Sequence, residues 1–228
     1  MRIETLPDAT ASVLAKKAAE ALDRHISSHW SEYGDGFCLL MSGGSALTIL
    51  DNGLDSSLFG KNTKVGILDE RISDDPKASN FLQFKQTKFY GKLAKSGVFF
   101  IDIKDGKFST LASKIPIIAT VGIGPDGHTS GMMPFPENPE YFEKTFNRTD
   151  QLVIEYDATG KSKFARRLTT TLPFMRKIDY AVGIMTGEEK KQALERITAK
   201  EGTLSETPAR IFREMKKVDI FTNIEIRR

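Results

Sequence analysis

The sequence predicts an α/β fold in which a largely parallel sheet carries helices on both faces, within a single domain. Two observations support this prediction. Short apolar runs of strand length alternate with longer helical segments along the chain, which is typical of βαβ units. Several of the runs also end directly in glycine-rich or strongly polar turns, at the strand ends where open parallel sheets bind their ligands. A chain of 228 residues is long enough to build one ample core.

The first helical segment covers residues 11–30. Apolar side chains recur there at every fourth position from Leu14 to Trp30, which predicts an amphipathic helix. Its candidate N-caps are Asp8, Thr10 and Ser12.

Seven apolar runs predict strands. They are GFCLLM (36–41), KVGIL (64–68), VFFIDI (98–103), IPIIATVGI (115–123), LVIEY (152–156), YAVGIM (180–185) and VDIFT (218–222). Further helices are expected at 79–93 and 187–199, with a short helical or irregular piece between the third and fourth runs. The proline-rich stretch PFPENPEYF (134–142) could be a linker or a lid, and we interpret it as a loop over a site.

Composition and charge exclude several classes of protein. The hydrophobic and charged fractions are ordinary for a soluble globular chain, and a formal charge of +3 is too small to indicate a nucleic-acid partner. No stretch approaches the roughly 18 apolar residues that a membrane span requires. Cys38 is the single cysteine and has no intramolecular partner, so a reducing, cytoplasmic location is expected. His25 and His29 lie one helical turn apart but have no evident third ligand beside them, so no metal site is expected.

Three unusual loops follow predicted strands and should converge at one edge of the sheet. The first, MSGGSALTIL (41–50), offers free backbone N–H groups, the hydroxyls of Ser42 and Ser45, and a helix N-terminus. Such a loop can bind a phosphate or a carboxylate, although a simple tight turn explains it about equally well. It has neither the GK[ST] of a Walker A loop nor a dinucleotide fingerprint, which disfavours ATP and NAD.

The second loop begins with Asp69, Glu70 and Arg71. The two carboxylates could be helix caps or solvated charges, which is the usual role of such residues. Arg71 at the end of a strand could hold an anionic oxygen through two hydrogen bonds. Ser79 and Asn80 are the candidate cap of the helix that follows.

The third loop, VGIGPDGHTSG (121–131), contains His128. A histidine titrates near neutrality and is the commonest general base, and Asp126 could orient its ring. From this loop alone, His128 is equally well explained as a base or as a hydrogen-bonded turn residue. Basic residues farther along the chain could bind an anion, namely Arg166, Arg167, Lys190 and Lys191.

Six motifs in chain order resemble the 6-phosphogluconolactonase family, which belongs with glucosamine-6-phosphate deaminases and isomerases in a larger sugar-phosphate group. They are SGGS, LDER followed by SN, GIGPDGHTS followed by MP, RRLTTTLP, GEEK and PAR, and they span residues 42–210. The resemblance implies a Rossmann-like sheet and hydrolysis of 6-phospho-D-glucono-1,5-lactone to 6-phosphogluconate in the oxidative pentose phosphate pathway. It implies no metal or organic cofactor.

The resemblance also implies roles for individual residues. His128 is similar to the general base that activates water, with Asp126 beside it, and Arg71 to the arginine that faces the lactone or its carboxylate product. Asp69 belongs with the substrate-binding residues. The residues that resemble the phosphate site are Ser42, Gly43, Gly44, Ser45, Arg167 and Lys190.

The chain departs from the family pattern in three places. KVGIL lacks the aromatic residue expected before DER, SGMMP replaces ASLFP, and GKSKFA replaces a proline-rich segment. These segments belong to the substrate wall and lid, so they bear on lactone specificity more than on His128. The deaminase branch has DEY where this chain has DER, and NEP where it has MMP.

Two other functions stay open. One is an amino-sugar phosphate deaminase or isomerase in which Asp69 is the base. The other is a sugar-phosphate binding protein without catalysis. The sequence decides neither between a monomer and a homodimer nor between Lys190 and Lys191 as the phosphate ligand.

Overall fold

Six of the seven predicted apolar runs form a parallel sheet in the computed structural model, which describes residues 1–32, 34, 36–105, 108 and 115–226. The described strands, in chain order, are β1 (Arg2–Thr5), β2 (Cys38–Met41), β3 (Lys64–Ile67), β4 (Asp69–Arg71), β5 (Phe99–Ile101), β6 (Ile117–Val121), β7 (Val153–Asp157), β8 (Arg166–Thr170), β9 (Tyr180–Met185) and β10 (Val218–Thr222). The main sheet has the order β1-β10-β9-β6-β2-β3-β5, and every pair in it is parallel.

The central strands explain why the apolar runs are continuous. Every residue of β2, β6, β9 and β10 is buried, as expected of strands that are covered on both faces. Helices lie on both sides of this sheet in a single domain, as the sequence predicts. Cys38 lies at the start of β2 and is fully buried, and burial raises the pKa of its thiol to about 12.

Most of the α-helices among the described residues lie at predicted positions, with differences at their ends, whereas those at Pro139–Phe146 and Leu172–Met175 were not predicted. The helices are α1 (Ala11–Ser28), α2 (Ser45–Asp51), α3 (Asn80–Lys85), α4 (Lys88–Leu93), α5 (Pro139–Phe146), α6 (Leu172–Met175) and α7 (Lys191–Thr198). Short 3₁₀ turns occupy Ser56–Leu58, Pro76–Ala78, Glu188–Lys190 and Pro208–Arg213. The piece expected between the third and fourth runs falls largely on residues 106, 107 and 109–114, which lie outside the described residues.

Helix α1 begins where Thr10 accepts a hydrogen bond from the backbone N–H of Val13 at 3.3 Å, so Thr10 is the N-cap among the three candidates. The helix ends at Ser28, two residues before Trp30. Trp30 is 52% exposed and therefore does not extend the apolar face as expected.

The helix predicted over 79–93 is two helices, because the side chain of Thr87 starts a second one. Its hydroxyl accepts from the N–H of Tyr90 at 3.1 Å, and the carboxylate of Asp51 accepts from the N–H of Phe89 at 2.9 Å. These bonds satisfy the first N–H groups of α4, which a continuous helix would have bonded internally.

A second, antiparallel sheet was not predicted. Its strand order is β4-β8-β7, so DER is a strand and not part of a loop. RRLTT, for which no element was predicted, is also a strand, and LVIEY lies in this sheet and not in the parallel one. Strand β1, which pairs with β10 at the edge of the main sheet, was also not predicted. The N–H of Thr170 donates to the carbonyl of Leu68 at 3.1 Å and thereby joins the small sheet to the end of β3.

The proline-rich stretch 134–142 is neither a linker nor an open loop. Helix α5 begins within it at Pro139, and Phe135 and Phe142 are buried. The ring of Phe135 contacts those of Tyr141 and Tyr156 at centroid distances of 4.9 and 6.4 Å. This packing ties the stretch to the core of the domain.

Candidate active site

Loops from four neighbouring strands of the main sheet surround a cavity of about 220 Å³ at its carboxyl edge. These strands are β9, β6, β2 and β3. After β2 the chain places β3 and β5 on one side of that strand, and it later places β6 and β9 on the other side. The cavity therefore lies at a topological switch point of the sheet. The lining residues that the sequence predicted are Ser42, Gly43, Gly44, Ser45, Asp69, Arg71, His128, Arg167 and Lys190.

The SGGS loop connects β2 to α2 and forms one wall. The N–H of Ser42 donates to Thr120 at 3.0 Å and continues the pairing of β2 with β6. Gly44 has a φ of 65°, a conformation that favours glycine, and it caps α2 without a side-chain bond. The N–H groups that open α2 therefore lie beside the cavity without a capping side chain to satisfy them.

Gly43 is required by a close contact with Asn80. A Cβ at this position would lie 1.9 Å from Asn80 Oδ1. Asn80 is fully buried, and its Nδ2 donates to the carbonyl oxygen of Asp69 at 2.8 Å and to Oδ2 of the same residue at 3.0 Å. The sequence predicted only a helix cap at this position, whereas the side chain links the SGGS loop to Asp69.

Strand alternation separates the roles of the two adjacent carboxylates in DER. Glu70 is 1% exposed and accepts from the N–H groups of Asn80 at 2.6 Å and Phe81 at 3.1 Å, so it binds the start of α3. Ser79 caps the same helix by accepting from Leu82 at 3.1 Å. The expected capping role therefore belongs to Glu70 and Ser79.

Asp69 is directed to the cavity side instead. One of its oxygens, Oδ1, is buried without a hydrogen-bond partner. Burial raises the pKa of this carboxyl above its ordinary value, although the charges of Arg71, Arg167 and His128 oppose the shift. A Cβ on Gly131 would lie 2.7 Å from the Cβ of Asp69, so glycine is needed there to admit the carboxylate.

The two predicted arginines lie side by side in the second sheet. Arg71 and Arg167 are register partners on β4 and β8. Arg71 donates to the carbonyl of Ala78 at 3.0 Å, and Arg167 donates to the hydroxyl of Ser162 at 2.6 Å. The Nε of each is buried without a hydrogen-bond partner. Both arginines line the cavity, and two guanidinium cations so placed can bind an anion.

Arg166, the other arginine of the RR pair, points away. Its guanidinium is largely exposed and pairs with Glu155. It does not line the cavity.

His128 and Asp126 form a hydrogen-bonded pair in the turn after β6. Nδ1 of His128 lies 2.6 Å from Oδ1 of Asp126, and the same oxygen accepts from the backbone N–H of His128 at 3.1 Å. Burial alone would raise the pKa of Asp126, but the hydrogen bond and charge of His128 hold it below its ordinary value. The His128 side chain is 35% exposed, so its other ring nitrogen is accessible to a water molecule or a ligand.

Glycines make this turn possible. A Cβ on Gly124 would lie 2.1 Å from Nδ1 of His128, so the imidazole packs directly on the backbone. Gly127 has a φ of 88° and contacts Thr207. The motif GIGPDGH is therefore a scaffold that fixes one ring position.

Three supporting residues were not predicted. Ser130 lines the cavity with a φ of 47°, which is unusual for a residue other than glycine, and its hydroxyl lies 3.4 Å from that of Ser42. Tyr156 binds the same loop through the carbonyl of Gly131 and the N–H of Met133. The hydroxyl of Thr169 donates to the carbonyl of Ser130. These contacts join residues distant in sequence, so no local pattern could have indicated them.

The two lysines have different environments. Lys190 lines the cavity, and burial lowers the pKa of its ammonium. Lys191 forms an ion pair with Glu188 at 3.7 Å on the helix surface. The structure thus distinguishes two residues that the sequence did not.

The PAR motif explains how α7 is held beside the site. Arg210 donates three hydrogen bonds to carbonyl oxygens at the end of α7, those of Arg196 (2.6 Å), Ala199 (3.1 Å) and Lys200 (3.3 Å). Such bonds satisfy the unpaired carbonyls of a helix C-terminus. The N–H of Ala209 donates to the carbonyl of Gly127 at 3.0 Å, so the same segment contacts the His128 turn.

Other predicted features lie apart from the cavity. None of residues 134–142 lines it. His25 packs on the ring of Tyr180 at a centroid distance of 4.2 Å, near the amino ends of the strands. Within the described part of the chain, no cluster of three or more histidine, cysteine or acidic side chains has the arrangement of a metal site.

The comparisons with known proteins agree with this architecture. The family profile described as glucosamine-6-phosphate isomerases/6-phosphogluconolactonase matches residues 7–221. The chain belongs to this family. No curated protein sequence matches the chain closely enough to count as a relative.

Solved structures of 6-phosphogluconolactonases share the fold of this family member. The structure from Shewanella baltica is 18% identical, with a TM-score of 0.75 and 97% of each chain covered. The structure from Thermotoga maritima is 21% identical, with a TM-score of 0.69, and the match covers 97% of this chain and 98% of the other. For the structure from Trypanosoma brucei the identity is 17%, the TM-score is 0.70 and the coverage is 97% and 95%. Among the described residues, no helix has the length and apolar character needed to cross a bilayer.

Proposed function

We propose that the protein hydrolyses 6-phospho-D-glucono-1,5-lactone to 6-phospho-D-gluconate, as a cytoplasmic enzyme of the oxidative pentose phosphate pathway. One observation carries the proposal. A histidine held by a carboxylate and two arginines line one cavity beside a glycine-rich loop. Membership of a family that includes 6-phosphogluconolactonases supports the same activity.

The phosphate end of the substrate binds to the SGGS loop, Arg167 and Lys190. Backbone N–H groups at the start of α2 and the two cations supply donors of the kind that phosphate oxygens prefer. When the phosphate dianion of the substrate binds, it supplies a counter-ion to the partly buried ammonium of Lys190. Binding energy at this end then orients the lactone for reaction at the other end.

The reacting end lies between His128 and Arg71. Asp126 occupies Nδ1 of the imidazole, so the other ring nitrogen takes a proton from water as the oxygen attacks the lactone carbonyl. The ring C–O bond then breaks, and the imidazolium returns this proton to the ring oxygen. The guanidinium of Arg71, which lines the cavity, stabilises the oxyanion that forms at that carbonyl. Hydrolysis of an activated ester requires a base, a positioned water and a cation, and His128 and Arg71 supply the base and the cation.

A second candidate reaction is the isomerisation or deamination of an amino-sugar phosphate. The family also contains glucosamine-6-phosphate isomerases, and the carboxyl group of Asp69, a residue that lines the cavity, is the feature that this reaction would use. In that reaction Asp69 would remove a proton from a substrate carbon. Lactone hydrolysis depends on His128 more than on Asp69 as a base.

The test compares three substrates with the purified protein. These are 6-phosphogluconolactone generated in situ, unphosphorylated glucono-1,5-lactone, and glucosamine 6-phosphate. We expect hydrolysis of the first well above the spontaneous rate, a much lower kcat/KM for the second because it lacks the phosphate, and no conversion of the third. Conversion of glucosamine 6-phosphate with no lactone hydrolysis would transfer the assignment to the isomerase branch.

A non-catalytic binding protein gives a different result in the same experiment. It would show no turnover of any substrate, while 6-phosphogluconate would still raise the melting temperature.

A further inference from the structure

A second cavity, of about 520 Å³, lies at the amino edge of the main sheet, between α1 and the first residues of β9 and β10. We call it the amino-edge cavity. It is at the opposite edge from the candidate active site, and the described linings of the two cavities share no residue. Among the described residues, four basic side chains line it, namely Arg2, Arg24, Lys216 and Lys217, against one acidic residue, Asp219. Its volume is in the range of sites that bind small molecules.

Two of these four cations are already paired with carboxylates. Arg2 Nε donates to Asp219 Oδ1 at 3.1 Å, and Lys216 Nζ lies 2.6 Å from Asp179 Oδ1. The hydroxyl of Tyr180 donates to the other oxygen of Asp219 at 2.8 Å. The carboxylate in the lining is therefore satisfied within the protein, and it leaves the other two cations without compensation.

Arg24 and Lys217 are the cations that remain available. The guanidinium of Arg24 lies 4.0 Å from Glu20, at the outer limit of an ion pair, and Glu20 also lies 3.9 Å from Lys17. Lys217 forms no ion pair with a described residue, and its Nζ lies 5.2 Å from the centroid of the Tyr180 ring. Both side chains are exposed, so they can contact a ligand that enters the cavity from solvent.

His25 is a titratable group in the same cavity. It is 8% exposed, and the functional assignment of the other cavity does not use it. Burial, followed by the charges of His29 and Lys217, lowers the pKa of His25 to about 4, although Asp179 and Asp219 oppose the shift. The ring is therefore neutral near pH 7, and an anion beside it would favour the imidazolium.

We propose that the amino-edge cavity is a second anion-binding site, which takes a small ligand with a phosphate group through Arg24 and Lys217. Phosphate oxygens are strong acceptors, and both side chains supply charged donors. The C-terminal end of α1 lies beside the cavity and opposes an anion with about half an elementary charge, which two cations outweigh. The proposal does not depend on the proposed function, since neither residue lines the candidate active site.

Anion binding and protonation of His25 should be linked in this site. A bound anion stabilises the imidazolium and therefore raises the pKa of His25, by about one pH unit or more for an opposite charge in close contact. By reciprocity, the affinity for the anion should increase as the pH falls toward the pKa of His25.

The experiment follows the imidazole C–H signals of the protein by NMR against pH, without and with inorganic pyrophosphate as the probe. The His25 signal is assigned with His29→Gln and His128→Gln. We expect pyrophosphate to raise the pKa of His25 and to bind with a Kd of about 1 mM, the strength of two charge-assisted hydrogen bonds. Lys217→Met and Arg24→Met should each weaken this binding at least about 10-fold.

Lys85→Met is the matched control for Lys217→Met. Lys85 is also an exposed lysine over an aromatic ring, with its Nζ 4.8 Å from the centroid of Phe81, and it does not line the amino-edge cavity. Arg167→Met is the control for anion binding at the candidate active site. Both control variants should keep the wild-type response of His25 to pyrophosphate. Melting curves identify any variant that fails to fold, and either Lys217→Met or Arg24→Met alone is sufficient for the test.

Three results would overturn the proposal. A His25 signal that does not move with pyrophosphate up to about 10 mM would mean that the amino-edge cavity binds no such anion. Equal weakening in Lys85→Met and Lys217→Met would mean a general effect of charge. Loss of the response in Arg167→Met would place the pyrophosphate in the candidate active site instead.

Discussion

Arg71 and Arg167 lie directly opposite each other on neighbouring antiparallel strands, and the Nε of each is buried without a hydrogen-bond partner. Like charges in this position destabilise a sheet. The arrangement is therefore explained best by an anion that binds both guanidinium groups. The arrangement also places Arg71, proposed to contact the lactone end of the substrate, beside Arg167, proposed to contact its phosphate end.

Replacement of Arg167 should weaken binding of the phosphorylated product. In Arg167→Met we expect the affinity for 6-phosphogluconate to fall roughly 10- to 150-fold, because a hydrogen bond to a charged group contributes about 1.5–3 kcal/mol. Calorimetric titration measures the change. Arg166→Met is the control, since that guanidinium is exposed and pairs with Glu155. Equal losses in both variants would mean a general effect of charge and no direct contact.

Replacement of Lys190 and replacement of Lys191 should have different effects on KM. Lys190→Met should raise KM for the lactone at least about 10-fold, because the partly buried ammonium lines the cavity. Lys191→Met should leave KM nearly unchanged, since Lys191 pairs with Glu188 on the surface. Steady-state kinetics of the two variants measure both KM values. A larger increase in KM for Lys191→Met than for Lys190→Met would contradict the assignment of Lys190 to the phosphate site.

A methyl group at Gly124 should displace the imidazole of His128. The added Cβ would lie 2.1 Å from Nδ1 of His128, so the imidazole must move. We expect Gly124→Ala to lower kcat at least about 100-fold, as misplacement of a reacting group does. Gly91→Ala in α4 is the control, because a Cβ there has no neighbour within 4 Å. It should keep full activity and gain about 0.5–1 kcal/mol in stability. Normal kcat in Gly124→Ala would argue against a fixed ring.

The pair of His128 and Asp126 should also appear in the pH dependence of stability. Interaction with His128 outweighs burial and holds the pKa of Asp126 below its ordinary value. The unfolded chain therefore binds this proton more readily, so the stabilisation is present above about pH 4 and is lost as pH falls through the folded-state pKa.

Melting temperatures of the wild type and Asp126→Asn test this expectation. The wild type should be the more stable protein at pH 7, and the difference should shrink below about pH 4. Asp74→Asn, a change at an exposed carboxylate, serves as the control. If the difference in melting temperature between the wild type and Asp126→Asn instead grew below about pH 4, the stabilising interaction of Asp126 with His128 would be contradicted.

The sequence predicted most of the main sheet because its central strands are apolar and fully buried. Runs such as CLLM and YAVGIM are continuous over their whole length, which is typical of central parallel strands. From the polar turns after these strands, the sequence also predicted the position of the cavity. Residues of all three predicted loops line it, and Lys190 joins them from the loop after β9.

The second sheet could not be predicted in this way. DER is short and charged, RRLTT begins with two arginines, and these two paired strands are about a hundred residues apart. The link between Asn80 and Asp69 is likewise tertiary. A helix-cap pattern explained the SN pair locally, and only the fold showed that Asn80 contacts the site.

The most direct test of the account is the initial rate of 6-phosphogluconolactone hydrolysis by the wild type and by His128→Ala, each corrected for the spontaneous reaction. The account predicts rapid turnover by the wild type and a loss of at least about 100-fold in the variant, the lower range for removal of a general base. No turnover by the wild type, or equal rates for the two proteins, would contradict it.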